Sequence, residues 1–205
     1  MRRIDYIFIA CIVLIIAIGP LVLISNSPSI YYYSSELNAE NRLDDSYEEM
    51  SSVVGFLFDD EELSDSFTEN EKSHMEDVRF LLNIGTIFIG FLSLIIGIYF
   101  LYLYYKNKSF DYRTLTISGY ISLVFIGFIL ISVLLDFQWT FQVFHEVFFP
   151  QGNWQFPVDS LLITLFPREF FIQMSYTYIV STIVLSSILI AKGLFCNHKS
   201  TGKPN

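Results

Sequence analysis

Four long, almost uncharged apolar runs stand out along the chain, at about 6–24, 80–105, 115–135 and 176–195. Each is close to the roughly 20 residues that a helix needs to cross the hydrocarbon core of a bilayer. The pattern predicts an all-α fold: a polytopic membrane protein with four transmembrane helices and a single membrane domain over 1–205. The first run is followed by Gly19–Pro20, read as a helix break, and by Ser25 and Ser27, but no A-x-A cleavage site follows; a retained anchor is expected rather than a removed signal peptide. Gly90, Ser93 and Gly97 share one face of the second run, a pattern that suits close packing against another helix.

The segments between the runs differ in kind. Residues 25–79 hold 15 of the 21 acids against three bases, Arg42, Lys72 and Arg79. Within them Leu43, Tyr47, Met50, Val54 and Leu57 recur at helical spacing, so a compact, partly helical cap with one amphipathic helix is expected there. Asp59–Asp65 reads as a solvated acidic turn. Thr68-Glu69-Asn70-Glu71 has the form of a capping box and predicts a helix start near Glu69 that runs on into the second span. The other long segment, 136–175, reads as an interfacial loop: it contains both tryptophans, Trp139 and Trp154, and a dense set of phenylalanines, rings that favour the membrane–water boundary.

Charge orients this layout. Arg2, Arg3, Lys106, Lys108, Arg113, Lys192, Lys199 and Lys203 all fall on one side of the four runs, and 19 of the 21 acids fall on the other. The excess of Lys and Arg predicts that both termini are cytoplasmic and that both long segments lie outside, in a multi-pass protein of the cell membrane. A composition of 53% apolar and 16% charged residues, with a net charge of −9, argues against a nucleic-acid binder. Cys11 and Cys196 lie at opposite ends of the chain and form no disulfide framework or CxxC pair.

Few residues on the outer side carry chemistry. His74 heads the second span with Asp77 one turn later on the same face. His145 lies in the aromatic segment beside Glu146, a candidate for orienting it. Two histidines titrating near neutral pH can meet at the outer leaflet and serve as base and acid. The plainer alternative is a pair of surface or packed histidines. His74, Asp77 and His145 also allow a three-ligand metal site, but HExxH spacing is missing and no fourth ligand stands out, so no metal is assigned. No GxSxG, P-loop or dinucleotide motif is present, and no cofactor is expected.

The residues around the two histidines resemble a known family. His74-Met75-Glu76-Asp77-Val78 is similar to the His-Met-x-Asp-Val element of the lipoprotein intramolecular transacylases. The stretch Phe144-His145-Glu146-Val147-Phe148-Phe149, followed by Trp154, Pro157, Asp159-Ser160-Leu161-Leu162-Ile163, Phe166-Pro167 and Phe170-Phe171, resembles their second signature. The resemblance implies a membrane acyltransferase. Its substrate is a lipoprotein whose N-terminal cysteine bears a diacylglyceryl group, and an acyl chain moves from the sn-2 oxygen to that cysteine's own α-amine, giving an N-acyl lyso-lipoprotein. It also implies that His74 and His145 are catalytic, one as base and the other as proton donor to the oxyanion or the leaving oxygen. Asp77, Glu146, Trp154, Asp159 and Arg168 are expected in support. Arg168 has three candidate partners, Glu146, Asp159 and a lipid headgroup. Two other readings stay open: a metal-dependent membrane hydrolase at the same histidines, and a non-enzymatic membrane protein whose acidic cap binds a basic partner or Ca²⁺.

Overall fold

A computed structural model describes residues 1–38 and 46–201. They form eight helices: α1 Arg3–Ser25, α2 Pro28–Asn38, α3 Ser46–Phe58, α4 Glu69–Tyr105, α5 Arg113–Leu135, α6 Phe137–Phe148, α7 Leu161–Leu165 and α8 Arg168–Thr201. No strand occurs among the described residues. Four of these helices, α1, α4, α5 and α8, are long and apolar enough to cross a membrane. At ~1.5 Å per residue the 37 residues of α4 extend for about 55 Å, well beyond the ~30 Å hydrocarbon core. The chain divides into two compact units, one of Met1–Leu21, Gly85–Ile131 and Thr177–Asn205, the other of Val22–Ile84 and Ser132–Tyr176.

In the first unit α5 and α8 approach closely at Gly119. Thr114, Ser118 and Ser122 follow one another at four-residue spacing on α5, and all three are fully buried, as are Thr182 and Ser186 on α8. Small side chains let two backbones come close in an apolar solvent that provides no hydrophobic drive of its own. A Cβ on Gly119 would lie 2.7 Å from the Ser186 carbonyl oxygen, and one on Gly193 would lie 2.9 Å from the Tyr112 carbonyl oxygen. The seam expected at Gly90, Ser93 and Gly97 is not there: all three are exposed, and added Cβ atoms on the two glycines meet nothing within 4 Å. Spacing identifies a face that permits close packing, whereas the partner decides whether it is used. Gly119→Val is therefore expected to destabilise the protein by about 1–3 kcal/mol through overpacking, and Gly90→Val to leave it near wild type. Thermal unfolding of the two detergent-purified variants checks the contrast.

Helix α1 also departs from expectation. It runs through Gly19–Pro20 to Ser25 instead of breaking there. Proline removes the backbone donor that the Ile16 carbonyl would meet; one residue on, the Tyr178 hydroxyl donates to the Ala17 carbonyl at 2.7 Å and ties α8 to α1. At its other end the buried Asp5 carboxylate accepts from the Arg2 guanidinium at 2.9 Å and from the Tyr99 hydroxyl at 2.9 Å. The charge is thereby paired and bonded rather than left alone.

The second unit has its core among Tyr31, Met50, Val53, Val54, Phe56, Leu57, Leu63, Phe67, Met75, Leu162, Leu165, Phe166 and Phe170. Met50, Val54 and Leu57 occupy the buried face of α3 expected from their spacing, while Tyr47 is exposed and Leu43 lies outside the described residues. The cap contains a second helix, α2, that the acidic composition conceals. Segment 136–175 is likewise not a plain loop. Asp136 ends α5 and caps α6, its carboxylate accepting from the Trp139 N–H, and Ser160 caps α7 by accepting from the Ile163 N–H.

The capping box at the head of α4 forms as expected. Glu71 Oε2 accepts from the Thr68 N–H at 2.9 Å and the Thr68 hydroxyl at 2.8 Å, and the Glu71 N–H donates back to Thr68 Oγ1 at 3.3 Å. Its other oxygen does something the box alone does not require. Glu71 Oε1 accepts from the Leu162 N–H at 3.0 Å, so a buried carboxylate joins the start of α4 to the start of α7.

Candidate active site

The second unit brings His74 of α4 and His145 of α6 together: their ring centroids are 6.2 Å apart and their planes are inclined by 28°. Both rings are buried. Helix α6 achieves this by presenting Phe137, Phe141, Phe144, His145 and Phe148 at helical spacing, so His145 follows its phenylalanines into an aromatic wall. Phe149, itself buried, lies 4.8 Å from the His74 ring and 5.5 Å from the His145 ring. Phe156 lies 5.5 Å from His74; Phe141 and Trp154 lie 4.1 and 4.9 Å from His145.

The hydrogen bonds assign the His145 proton. Its Nδ1 is 2.8 Å from the Phe141 carbonyl oxygen. A carbonyl only accepts, so Nδ1 carries the hydrogen, and Nε2 of the neutral ring is the free basic nitrogen. Burial pushes the His145 pKa below its ordinary value, outweighing the opposing effect of the Phe141 carbonyl. The folded protein thus resists taking up a proton here more than the unfolded chain does. The His145 contribution to stability is at its full value above the ordinary histidine range near 6.5 and is lost as pH falls below it. Thermal melts of the purified protein are expected to show a lower Tm on acidification below about 6.5, and a His145→Phe variant, with no proton to gain there, to lose less over the same interval.

Asp77 does not meet the His74 ring in a hydrogen bond. Its Oδ2 accepts from the Asn153 amide at 2.6 Å and from the Gln151 amide, so it anchors the turn after α6 against α4. Glu146 is exposed and accepts from Gln142 on its own helix at 2.8 Å. Arg168 lies with its guanidinium 5.4 Å from the centre of the Phe137 ring, and no ion pair with Glu146 or Asp159 forms among the described residues. Asp159 is exposed, next to the Ser160 cap. No group of three His, Cys, Asp or Glu side chains is placed to hold a metal among the described residues, and Asp77 spends its contacts on amides. The residues missed by sequence reasoning are Asn153, Gln151 and Glu71 in its second role. The first two lie in a short turn without periodicity, and Glu71 was recognisable only as half of a capping box.

What this arrangement can do follows from its parts: two imidazoles in one apolar, ring-lined place can pass protons without a covalent nucleophile. A family model described as lipoprotein intramolecular transacylase Lit matches residues 5–171. The chain is similar in fold to the membrane-integral lipoprotein intramolecular transacylase Lit from Bacillus cereus, with a TM-score of 0.83 over 98% of each chain at 18% identity. A histidine-to-alanine variant of that protein matches with a TM-score of 0.75, covering 98% of this chain and 96% of its own at 18% identity. An uncharacterized protein from Aquifex aeolicus is 24% identical over 140 residues, which is 67% of this chain; the match spans 61% of that relative's length.

Proposed function

The chain belongs to the lipoprotein intramolecular transacylase family, and from that premise we propose that it moves an acyl chain within a diacylglyceryl-modified lipoprotein, from the sn-2 oxygen to the α-amine of the N-terminal cysteine. The observation that carries the reading is the 6.2 Å separation of the His74 and His145 rings inside an aromatic enclosure. Donor ester and acceptor amine belong to one molecule, so proximity comes with the substrate.

The proton count gives the two rings their work. An α-amine with a pKa near 8 arrives mostly as the ammonium at pH 7. One proton must leave before the nitrogen has a lone pair, and a second must leave as the amide forms. His74 takes the first and His145 Nε2 the second. The N–C bond forms at the acyl carbonyl carbon, the bond between that carbon and the sn-2 oxygen breaks, and the His145 proton passes to the departing oxygen, which stays on the glyceryl group as a hydroxyl. The proton on His74 returns to solvent. Phe149, Phe156, Phe141 and Trp154 exclude water, which protects the ester from hydrolysis and keeps both rings neutral between turnovers. The distribution of Lys and Arg supports a topology with both termini cytoplasmic and this site at the outer leaflet.

The product is an isomer of the substrate, so mass alone does not register it. The test is tandem mass spectrometry of a synthetic diacylglyceryl lipopeptide incubated with the protein in vesicles. An N-terminal fragment heavier by one acyl group is expected, and none from a peptide whose α-amine is acetylated. Unchanged fragments from the free-amine peptide would overturn the assignment.

A further inference from the structure

Two buried polar atoms at the site lack a hydrogen-bonded partner: His74 Nδ1 and Asn153 Oδ1. Buried polar atoms are nearly always satisfied, so each such exception calls for a reason. The two belong to side chains near enough for the Asn153 amide to act on the His74 imidazole, yet neither orphaned atom makes a hydrogen bond. Asn153 Nδ2 donates to Asp77 Oδ2 at 2.6 Å and to Ser73 Oγ at 3.2 Å. Those residues flank His74 on α4, one position before it and three after, so the amide lies across the face that carries the imidazole.

The orientation of this amide is chemically determined. A carboxylate accepts and does not donate, so the NH₂ group must face Asp77 and the amide oxygen must face away from it. That oxygen can only accept, and the other orphaned atom, His74 Nδ1, is a ring nitrogen able to donate. We propose that Asn153 is a positioning residue: held by Asp77, its Oδ1 takes the Nδ1–H of His74 and leaves His74 Nε2 as the free, proton-accepting nitrogen. His145 is set in the same tautomer by the Phe141 carbonyl. The inference rests on the reading of His74 as a base in acyl transfer, and it gives that reading a matched pair of Nε2 acceptors for the two protons leaving the amine. Asp77 then acts on His74 at one remove, through the asparagine.

The test separates the bond from the activity. Nitrogen-15 NMR of histidine-labelled protein in detergent micelles distinguishes the two neutral tautomers. In the wild type at pH 7.5 the His74 resonances are expected to be those of the Nδ1–H form. Asn153→Ala and Asp77→Asn are each expected to shift them towards the Nε2–H form while the His145 resonances stay in place. With the lipopeptide substrate, Asn153→Ala is expected to lower kcat by about 10- to 100-fold with little change in KM. Combining Asn153→Asp with Asp77→Asn places the carboxylate against His74 and the amide behind it, and is expected to restore most of the loss. The Nε2–H form in the wild type, unchanged His74 resonances in Asn153→Ala, or an unchanged kcat in that variant would each overturn the proposal. A wild-type protein that shows the expected tautomer but no acyl transfer would instead overturn the functional reading and leave the hydrogen bond standing.

Discussion

Replacing His145 with Ala is expected to lower transacylation by about 10²- to 10⁴-fold, and His74→Ala is expected to do the same, in proteins that still insert and fold. The magnitude follows from what is lost. His74 takes one proton and His145 takes a second and hands it on, and rings of Phe141, Phe149, Phe156 and Trp154 line the site where water would have to replace them. Because the two rings serve successive steps of one reaction, the double variant is expected to lose little beyond either single one. Both rings are buried, so the thermal unfolding of each variant is recorded with its rate, and a retained melt separates lost chemistry from lost fold. The measurement is the rate of N-acyl product formation from the synthetic lipopeptide, read by fragment ions. Wild-type rates in both single variants would show that the 6.2 Å pairing is packing alone.

The second large effect is on stability. Glu71→Ala is expected to cost about 2 kcal/mol or more, since it leaves the buried Leu162 N–H without its carboxylate, a loss of about 1–3 kcal/mol, and also removes the capping-box bond to the part-buried Thr68 N–H. The loss is expected to extend beyond the start of α4. Leu162 and Leu165 of α7 pack into the core with Met50, Val53 and Phe170, and the same carboxylate holds α7 there. Glu71→Gln keeps an acceptor oxygen but gives up the charge and one of the two accepting positions, so an intermediate loss is expected. Reversible unfolding in detergent decides the matter: a change within about 0.5 kcal/mol for Glu71→Ala, typical of an exposed site, would remove the bridging role.

How much of this was legible in the sequence depended on whether a feature is local and periodic. The four spanning helices follow from unbroken apolar runs. The Thr68–Glu71 cap follows from a four-residue pattern whose partners lie within one turn. Helix α6 was readable in principle, since Asp136 precedes Phe137, Phe141, Phe144 and Phe148 at helical intervals; the density of rings drew attention to composition and away from period. His74 and His145 could be named as candidates, but their meeting joins residues 71 positions apart through the packing of α4 and α6, and no local pattern encodes it. Asn153 is further from reach still, because its role depends on where its NH₂ group points, which Asp77 determines in space. The unused Gly90–Gly97 face and the single-glycine contacts at Gly119 and Gly193 carry the same lesson for the spans.

One experiment bears most directly on the central claim that the two histidines drive acyl transfer within a single molecule. The wild-type protein in vesicles is given an equimolar mixture of two diacylglyceryl lipopeptides: one of ordinary isotopic composition, the other heavy in both its peptide and its sn-2 acyl chain. The account predicts N-acylated products in which heavy peptide carries heavy chain and light peptide carries light chain, with no mass lost from either. Crossed labels, or a lyso-peptide together with free labelled fatty acid, would contradict it.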